Sequence, residues 1–494
     1  MLGDLEPLPV NADTISIDHL SARQRQCILY IFAGSLCCSS EFGEPVLTDL
    51  SDYLKLPQDT TWAMTTVPLL EQPHDVNPFI EDLMITDPNG RARILLILLH
   101  FCLLRFKSYD ARVRVSLFTV AVALGIPKRW VCIEESIYIG VLFESAKEST
   151  IPGSQSKKQI KKWMKVGAAA AVGAGLMVLT GGLAAPALGI GVSALGITSI
   201  GTFLGSATGA AIVTGLFGVG GGGLASYKMH RRVGALSNFE FTPISSDGSI
   251  HVILCISGIF IPNETSNPVI WEPLNEVFND ISQDIFCLDW ETQTLINAGK
   301  AVTDFIGAQA SSFVLTEGLK QTIFGAVMTA MAVPAAVLSA GYLIDNPWAV
   351  LISKSDQAGE ELGQVLLQRV HGNRPVSLIG FSAGARIIVR ALEFLAINNG
   401  FGIVQDVFLL GCPYWSSNWD GVVRVVAGRF VNAYSPSDWV LKYVYRAVTA
   451  SVSACGLESI DHPKVENIDI NGIVGSSHTN YIKKMDEIIA LFNL

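Results

Sequence analysis

Charge is scarce in this chain. Only 16% of its 494 residues are Asp, Glu, Lys or Arg, and they leave a formal net charge of -10. A phosphate-tracking surface needs a clustered cationic face, so this balance argues against a nucleic-acid partner. Nine cysteines (Cys27, Cys37, Cys38, Cys102, Cys132, Cys255, Cys287, Cys412, Cys455) lie scattered, mostly in apolar runs. Lacking paired CxxC zinc spacing or a disulfide framework, they read as reduced core thiols of a cytosolic compartment. The opening MLGDLEPLPVNADT is acidic and has neither the basic n-region nor the apolar h-region of a signal peptide, so nothing in it directs the N-terminus to the secretory lumen. HExxH, a P-loop and a GxGxxG in strand–turn–helix context are missing, and no metal or organic cofactor is expected. There is no heptad repeat to support a coiled coil.

What is present is apolar. Half of the residues are hydrophobic, enough for two or more folding units with a sizeable core. From Ser21 to about Phe143, ARILLILLHFCLLRF and RVRVSLFTVAVALGIPKRWVCIEESIYIGVLF repeat apolar residues at helical spacing, broken at Gly125-Ile126-Pro127. The apolar core Ile94–Leu104 is too short to cross a bilayer and contains His100, so a buried helix is expected, with His100 bonded to a backbone carbonyl. Residues 1–150 thus form an N-terminal α-helical domain.

Between SKKQIKKWMK and KMHRR, residues 166 to 227 contain no charge and no histidine. One span requires roughly 20 residues, so this run suits two, with a turn near Pro186. Basic flanks on both sides put the two ends on the same, cytosolic face. Gly201, Gly205 and Gly209 give the second arm a small-residue stripe for close helix packing in lipid. Residues 151–235 are expected to be a glycine-rich transmembrane hairpin. The protein would be multi-pass in an endomembrane, with its soluble domains facing the cytosol.

In residues 236–494 strands alternate with helices: SIHVILCISGIF, NPVIWEPLNEVFND, DIFCLDWE, RPVSLIG, VQDVFLLG, GRFVNAYSPSD and VENIDINGIVG. Continuous apolar strands separated by helices imply a parallel sheet buried on both faces, a doubly wound α/β domain. The uncharged stretch Gln321–Ile344 is long enough to span, but a single crossing would split the sheet across two faces. It is expected to be a helix of the α/β layer or one lying in the membrane interface, kinked at Pro334.

Gly380-Phe381-Ser382-Ala383-Gly384 matches G-x-S-x-G, between the strand PVSLIG and the helical ARIIVRALEFLA. That context marks a nucleophile elbow of an α/β-hydrolase-like sheet. A serine hydroxyl needs a base, and the base an acid, in the chain order Ser, acid, His. His478 follows a strand and a glycine turn, whereas His462 precedes that strand and should lie at the opposite edge. Asp438, just past a strand in YSPSDW, is the expected acid over Asp469; it also suits a helix cap. The oxyanion hole should combine the Ala383 N–H with that of Gly258 or Ile259. Asp289 and Glu291 read as solvated loop carboxylates.

LIGFSAGARII, DNPW at Asp345–Trp348, LDWET, GRFVNAYSPSDWVL and the uncharged glycine-rich stretch together resemble the family of transmembrane and coiled-coil domain-containing protein 4, from about Arg91 to the C-terminus. The resemblance implies membrane proteins with an α/β-hydrolase domain acting as lipases or esterases, with Ser382, Asp438 and His478 as the triad. A fungal relative's link to clathrin-adaptor traffic implies trafficking adaptor proteins as partners. The leading expectation is a membrane-anchored serine hydrolase for a lipid ester or thioester, with membrane lipid as its partner. The alternatives are a non-catalytic trafficking scaffold on a hydrolase fold, and a hairpin that oligomerises into a pore or bends the membrane.

Overall fold

The computed structural model describes residues 15–36, 40–57, 76–83, 88–105, 109–150, 216–217, 224, 236–246, 248–260, 267–278, 283–313, 347–445, 449 and 453–492. Its N-terminal part is helical: α1 (Ala22–Ser35), α2 (Ser40–Tyr53), α3 (Asn77–Asp82), α4 (Pro88–Arg105), α5 (Ala111–Ala123) and α6 (Lys128–Thr150). Local chemistry sets the helix starts. Ser21 and Gln24 form a reciprocal capping box at α1, and the Asp110 carboxylate accepts the Arg112 N–H at α5. In α4, Ile94 to Phe101 are all buried, so this helix is wrapped by protein on every side. His100 lies inside it, and where a backbone carbonyl is expected its Nδ1 is bonded at 2.5 Å to the Tyr138 hydroxyl. Burial pushes its pKa down to about 4.

The second part holds β1 (Phe239–Ser245), β2 (Val252–Ile256), α7 (Asn267–Val277), β3 (Asp284–Trp290), α8 (Thr292–Phe313), α9 (Pro347–Leu367), β4 (Val376–Phe381), α10 (Ala383–Ile397), β5 (Val404–Leu410), α11 (Trp419–Arg424), β6 (Phe430–Tyr434), a π-helix (Val440–Tyr445), β7 (Val465–Asp469), α12 (Asn471–Val474), α13 (Asn480–Lys483) and α14 (Met485–Leu491). The strands form one mixed α/β sheet of order β1-β3-β2-β4-β5-β6-β7. Every residue of β2 and β4 is buried, and successive side chains point to opposite faces, so both faces of the sheet are covered.

Two strand expectations are corrected. The sheet is not wholly parallel, because β1 runs antiparallel along the β3 edge, with Phe239 and Phe241 turned inward in alternation. The last strand stops at Asp469, whose carboxylate accepts the Asn471 N–H and turns the chain into α12.

The helical part docks beneath the sheet. Tyr109 and Ala111 donate their N–H groups to the Asn373 and Gly402 carbonyls, just ahead of β4 and β5. Arg114 Nη1 donates to Gln405 Oε1 at 2.6 Å. These contacts lie at the N-terminal ends of the strands, leaving the C-terminal edge, where Ser382 sits, on the opposite side. Leu216 and Phe217 belong to the helical core and Leu224 to the sheet core. The rest of the expected 151–235 hairpin, and the stretch 321–344, lie outside the described residues. Among the described residues no helix is long and apolar enough to cross a membrane.

Candidate active site

Strand β4 ends at the sheet's C-terminal edge, buried throughout, and turns at once into α10. Ser382 takes that turn at φ 55°, ψ -129°, a backbone conformation costly for any residue with a side chain. Its N–H is tied to the Leu410 carbonyl at 2.8 Å, fixing the turn against β5. The flanking glycines are dictated by space. A Cβ on Gly384 would sit 2.0 Å from the Ile256 carbonyl oxygen, and one on Gly380 would sit 2.8 Å from Ile388 Cδ1. Here the serine belongs to a strained strand-to-helix elbow rather than to a relaxed tight turn.

The structure brings Ser382, His478 and Asp438 into one line. Ser382 Oγ lies 2.7 Å from His478 Nε2, and His478 Nδ1 lies 2.6 Å from Asp438 Oδ2. All three are buried, at 2%, 1% and 0% exposure. With Asp438 ionised, Nδ1–H donates to the carboxylate, and Nε2 is left to accept the serine proton. The other Asp438 oxygen accepts the Val440 and Leu441 N–H groups at 3.0 and 3.2 Å, so the same residue caps the π-helix. Tyr481 packs beside the His478 ring, tilted by 58° with centroids 5.4 Å apart, and fills the space against Gly411. His462 stays at the other end of β7, 3.5 Å from Asp420, and Asp469 turns outward.

Gly258 lies directly on the elbow: a Cβ there would meet Phe381 O at 2.3 Å, Ala383 N at 2.4 Å and Ser382 Cβ at 2.6 Å. The N–H groups of Gly258, Ile259 and Ala383 donate to no acceptor among the described residues, whereas the Phe260 N–H is used by Leu295 O. An apolar cavity opens beside Ser382 between Trp348, Leu351, Pro413, Leu441 and Tyr445, with a volume of about 10 Å³. That is room for a single water.

Neither Asp289 nor Glu291 is a freely solvated loop carboxylate: Asp289 is half-buried in β3 and Glu291 is buried. Asp289 accepts hydrogen bonds from Asn267 and Thr242, and Glu291 is 4% exposed, at φ 41°, held by Ser237, Thr294 and Lys354. Both serve the loops after β2 and β3. The hydrogen-bond network of Asn267, Trp271 and Trp290 around Ser257 was not legible in the sequence: LDWET marks Trp290, but nothing in it points to the Ser257 carbonyl.

Residues 158–494 match the family described as "Protein of unknown function (DUF726)". The chain belongs to this family. A rice relative (Oryza sativa subsp. japonica), named transmembrane and coiled-coil domain-containing protein STS1, is 35% identical over 78% of the DUF726 chain and 61% of its own length. A Caenorhabditis elegans relative, named an uncharacterized membrane protein, is 34% identical over 77% of the chain and 63% of its own. A Saccharomyces cerevisiae relative, named probable lipase MIL1, is 32% identical over 60% of the chain and 27% of its own length. The chain therefore spans about three fifths of the rice and nematode proteins and a quarter of the yeast one. No solved structure matches it.

Proposed function

We propose that this DUF726 chain is a membrane-associated serine hydrolase of the α/β-hydrolase type, cleaving the ester or thioester of an apolar acyl group. One observation carries the reading: the buried line Ser382–His478–Asp438, with the serine at a strained elbow. His478 Nε2 takes the Ser382 proton as Oγ attacks the acyl carbonyl carbon, and the carbonyl π electrons move to oxygen. Ala383 N–H, with Gly258 or Ile259 N–H, receives that oxyanion. Asp438 stabilises the imidazolium. The tetrahedral intermediate collapses, the leaving alcohol or thiol departs with the proton from His478, and water repeats the sequence to free the acid.

The apolar lining of the cavity supports an acyl group, and the naming of relatives as membrane proteins and, in yeast, as a probable lipase supports a lipid source. The smallness of the cavity favours a second reading, a non-catalytic trafficking scaffold on the same fold. Labelling of the full chain in liposomes by an alkyl fluorophosphonate separates the two. Covalent labelling of the wild type, lost in both Ser382→Ala and His478→Ala, is the expected result. A well-folded wild type that does not label leaves the scaffold.

A further inference from the structure

The loop that meets the elbow is held from behind by two indoles. Trp290, at the end of β3 and fully buried, donates its Nε1–H to the Ser257 carbonyl at 2.9 Å. Trp271, on α7, donates to Ser257 Oγ at 3.0 Å, and that hydroxyl in turn donates to Asn267 Oδ1 at 2.5 Å. Asn267 is itself anchored through Nδ2 to the Leu288 carbonyl at 2.9 Å and to Asp289 Oδ1 at 2.6 Å. Every polar group of Ser257 that points away from the elbow is thereby tied to β3 or α7.

The peptide unit is planar and trans, so the Ser257 C=O and the Gly258 N–H point in opposite directions. Pinning that carbonyl on Trp290 fixes the plane and directs the Gly258 N–H away from β3. Gly258 lies against Ser382 and Ala383, and its N–H and that of Ile259 have no acceptor among the described residues. The next N–H, that of Phe260, is tied to Leu295 O at 3.3 Å, so the two free donors are bracketed by fixed peptides.

We propose that Trp290 is a positioning residue of the oxyanion hole: its indole hydrogen bond to the Ser257 carbonyl sets the direction of the loop's free N–H donors, with Trp271 and Asn267 holding the Ser257 side chain. The proposal rests on the serine-hydrolase reading. The indole touches no substrate atom; it acts through the backbone. A preorganised donor avoids reorganisation at the moment charge appears on the carbonyl oxygen, which is why fixing its direction matters.

The experiment is time-resolved labelling of the full chain in liposomes with the same alkyl fluorophosphonate, comparing wild type with Trp290→Phe, Trp271→Phe, Ser257→Ala and, as a packing control, Phe239→Leu. A folding defect lowers the fraction of chain that labels; a misdirected donor lowers the rate constant of the fraction that does. Trp290→Phe should label to full extent with a rate constant reduced roughly 10-fold or more, short of the 10²–10³-fold loss of an oxyanion donor itself. Ser257→Ala and Trp271→Phe should show smaller reductions of the same kind, and Phe239→Leu none. Unchanged rate constants across these three variants, or a loss of extent alone, overturn the proposal. Should Trp290→Phe fail to fold, Ser257→Ala and Trp271→Phe decide it. Absence of labelling in the wild type instead defeats the underlying hydrolase reading, a distinguishable failure.

Discussion

Asp438 carries two duties on two oxygens, and substitution can part them. Oδ2 faces His478, while Oδ1 receives the first N–H groups of the π-helix. Asp438→Asn keeps an acceptor of the same shape for the cap but removes the charge that orients and stabilises an imidazolium. The labelling rate should fall on the order of 10³–10⁴-fold with little loss of stability. Asp438→Ala should lose the same rate and in addition about 1–3 kcal/mol of stability, because buried donors are left unpaired. Equal melting temperatures for the two variants would contradict the capping role. The sequence allowed both duties because YSPSDW places an acid at a strand end and before a helix at once. It was silent on the role of Trp290 within LDWET, which comes from a contact to a backbone oxygen 33 residues away in sequence.

At the scale of elements, periodicity and motif made most of the sheet legible. Continuous apolar strands, a glycine-flanked serine and a histidine before the final helices define positions along the chain that survive without tertiary information. Edge strand β1 was missed because FEFTPIS alternates in burial and carries Pro243, so it lacks the continuous apolar pattern of the central strands. Asp289 and Glu291 were misread because carboxylates at a loop usually face water, and only the fold reveals the Asn267, Thr242 and Lys354 groups that receive them.

The docking of α5 on β5 was likewise invisible, since it depends on a buried ion pair between helices. Arg114 is bidentate to Glu135 at 2.7 and 2.8 Å and also donates to Gln405, with both charged side chains 2% exposed. Coulombic attraction and hydrogen bonding from Glu135 keep the guanidinium charged against the burial that opposes it. Removing one partner strands the other charge in the core, so Arg114→Met should cost about 3–5 kcal/mol. Arg114→Met combined with Glu135→Leu should recover most of that loss, because neither charge then remains unpaired. Denaturant midpoints of the two variants check this; a double variant no more stable than the single would show that the pair does more than neutralise itself.

Among the described residues the two large hydrophobic cores are joined through a polar seam. From the helical side the seam runs Glu135, Arg114, Gln405, Asp406, Ser377 and His251, with successive hydrogen bonds of 2.7, 2.6, 2.8, 3.4 and 2.9 Å. Three histidines in and around these cores, His100, His251 and His371, are buried neutral. Burial lowers His100 to about 4 and takes His251 and His371 well below their ordinary range. Positive neighbours push the last two further in the same direction: Arg114 and Arg374 act on His251, Arg369 and Arg374 on His371. In the unfolded chain all three titrate near 6.5. Below that pH the unfolded state binds protons that the folded state refuses, so stability falls as pH falls; above about 7 neither state binds them and these residues contribute no slope. Each histidine contributes about 1.4 kcal/mol per pH unit between roughly 6 and the folded pKa, so the three together give about 4 kcal/mol per unit. Denaturant unfolding of the full chain in detergent at pH 7.5, 6.5 and 5.5 should therefore show a shallow loss, about 1 kcal/mol, over the upper interval and a steep one, about 3 kcal/mol, over the lower. His100→Gln, which cannot titrate, should reduce the lower slope by about a third, and an unchanged slope in that variant would mean that His100 is protonated in the folded protein after all.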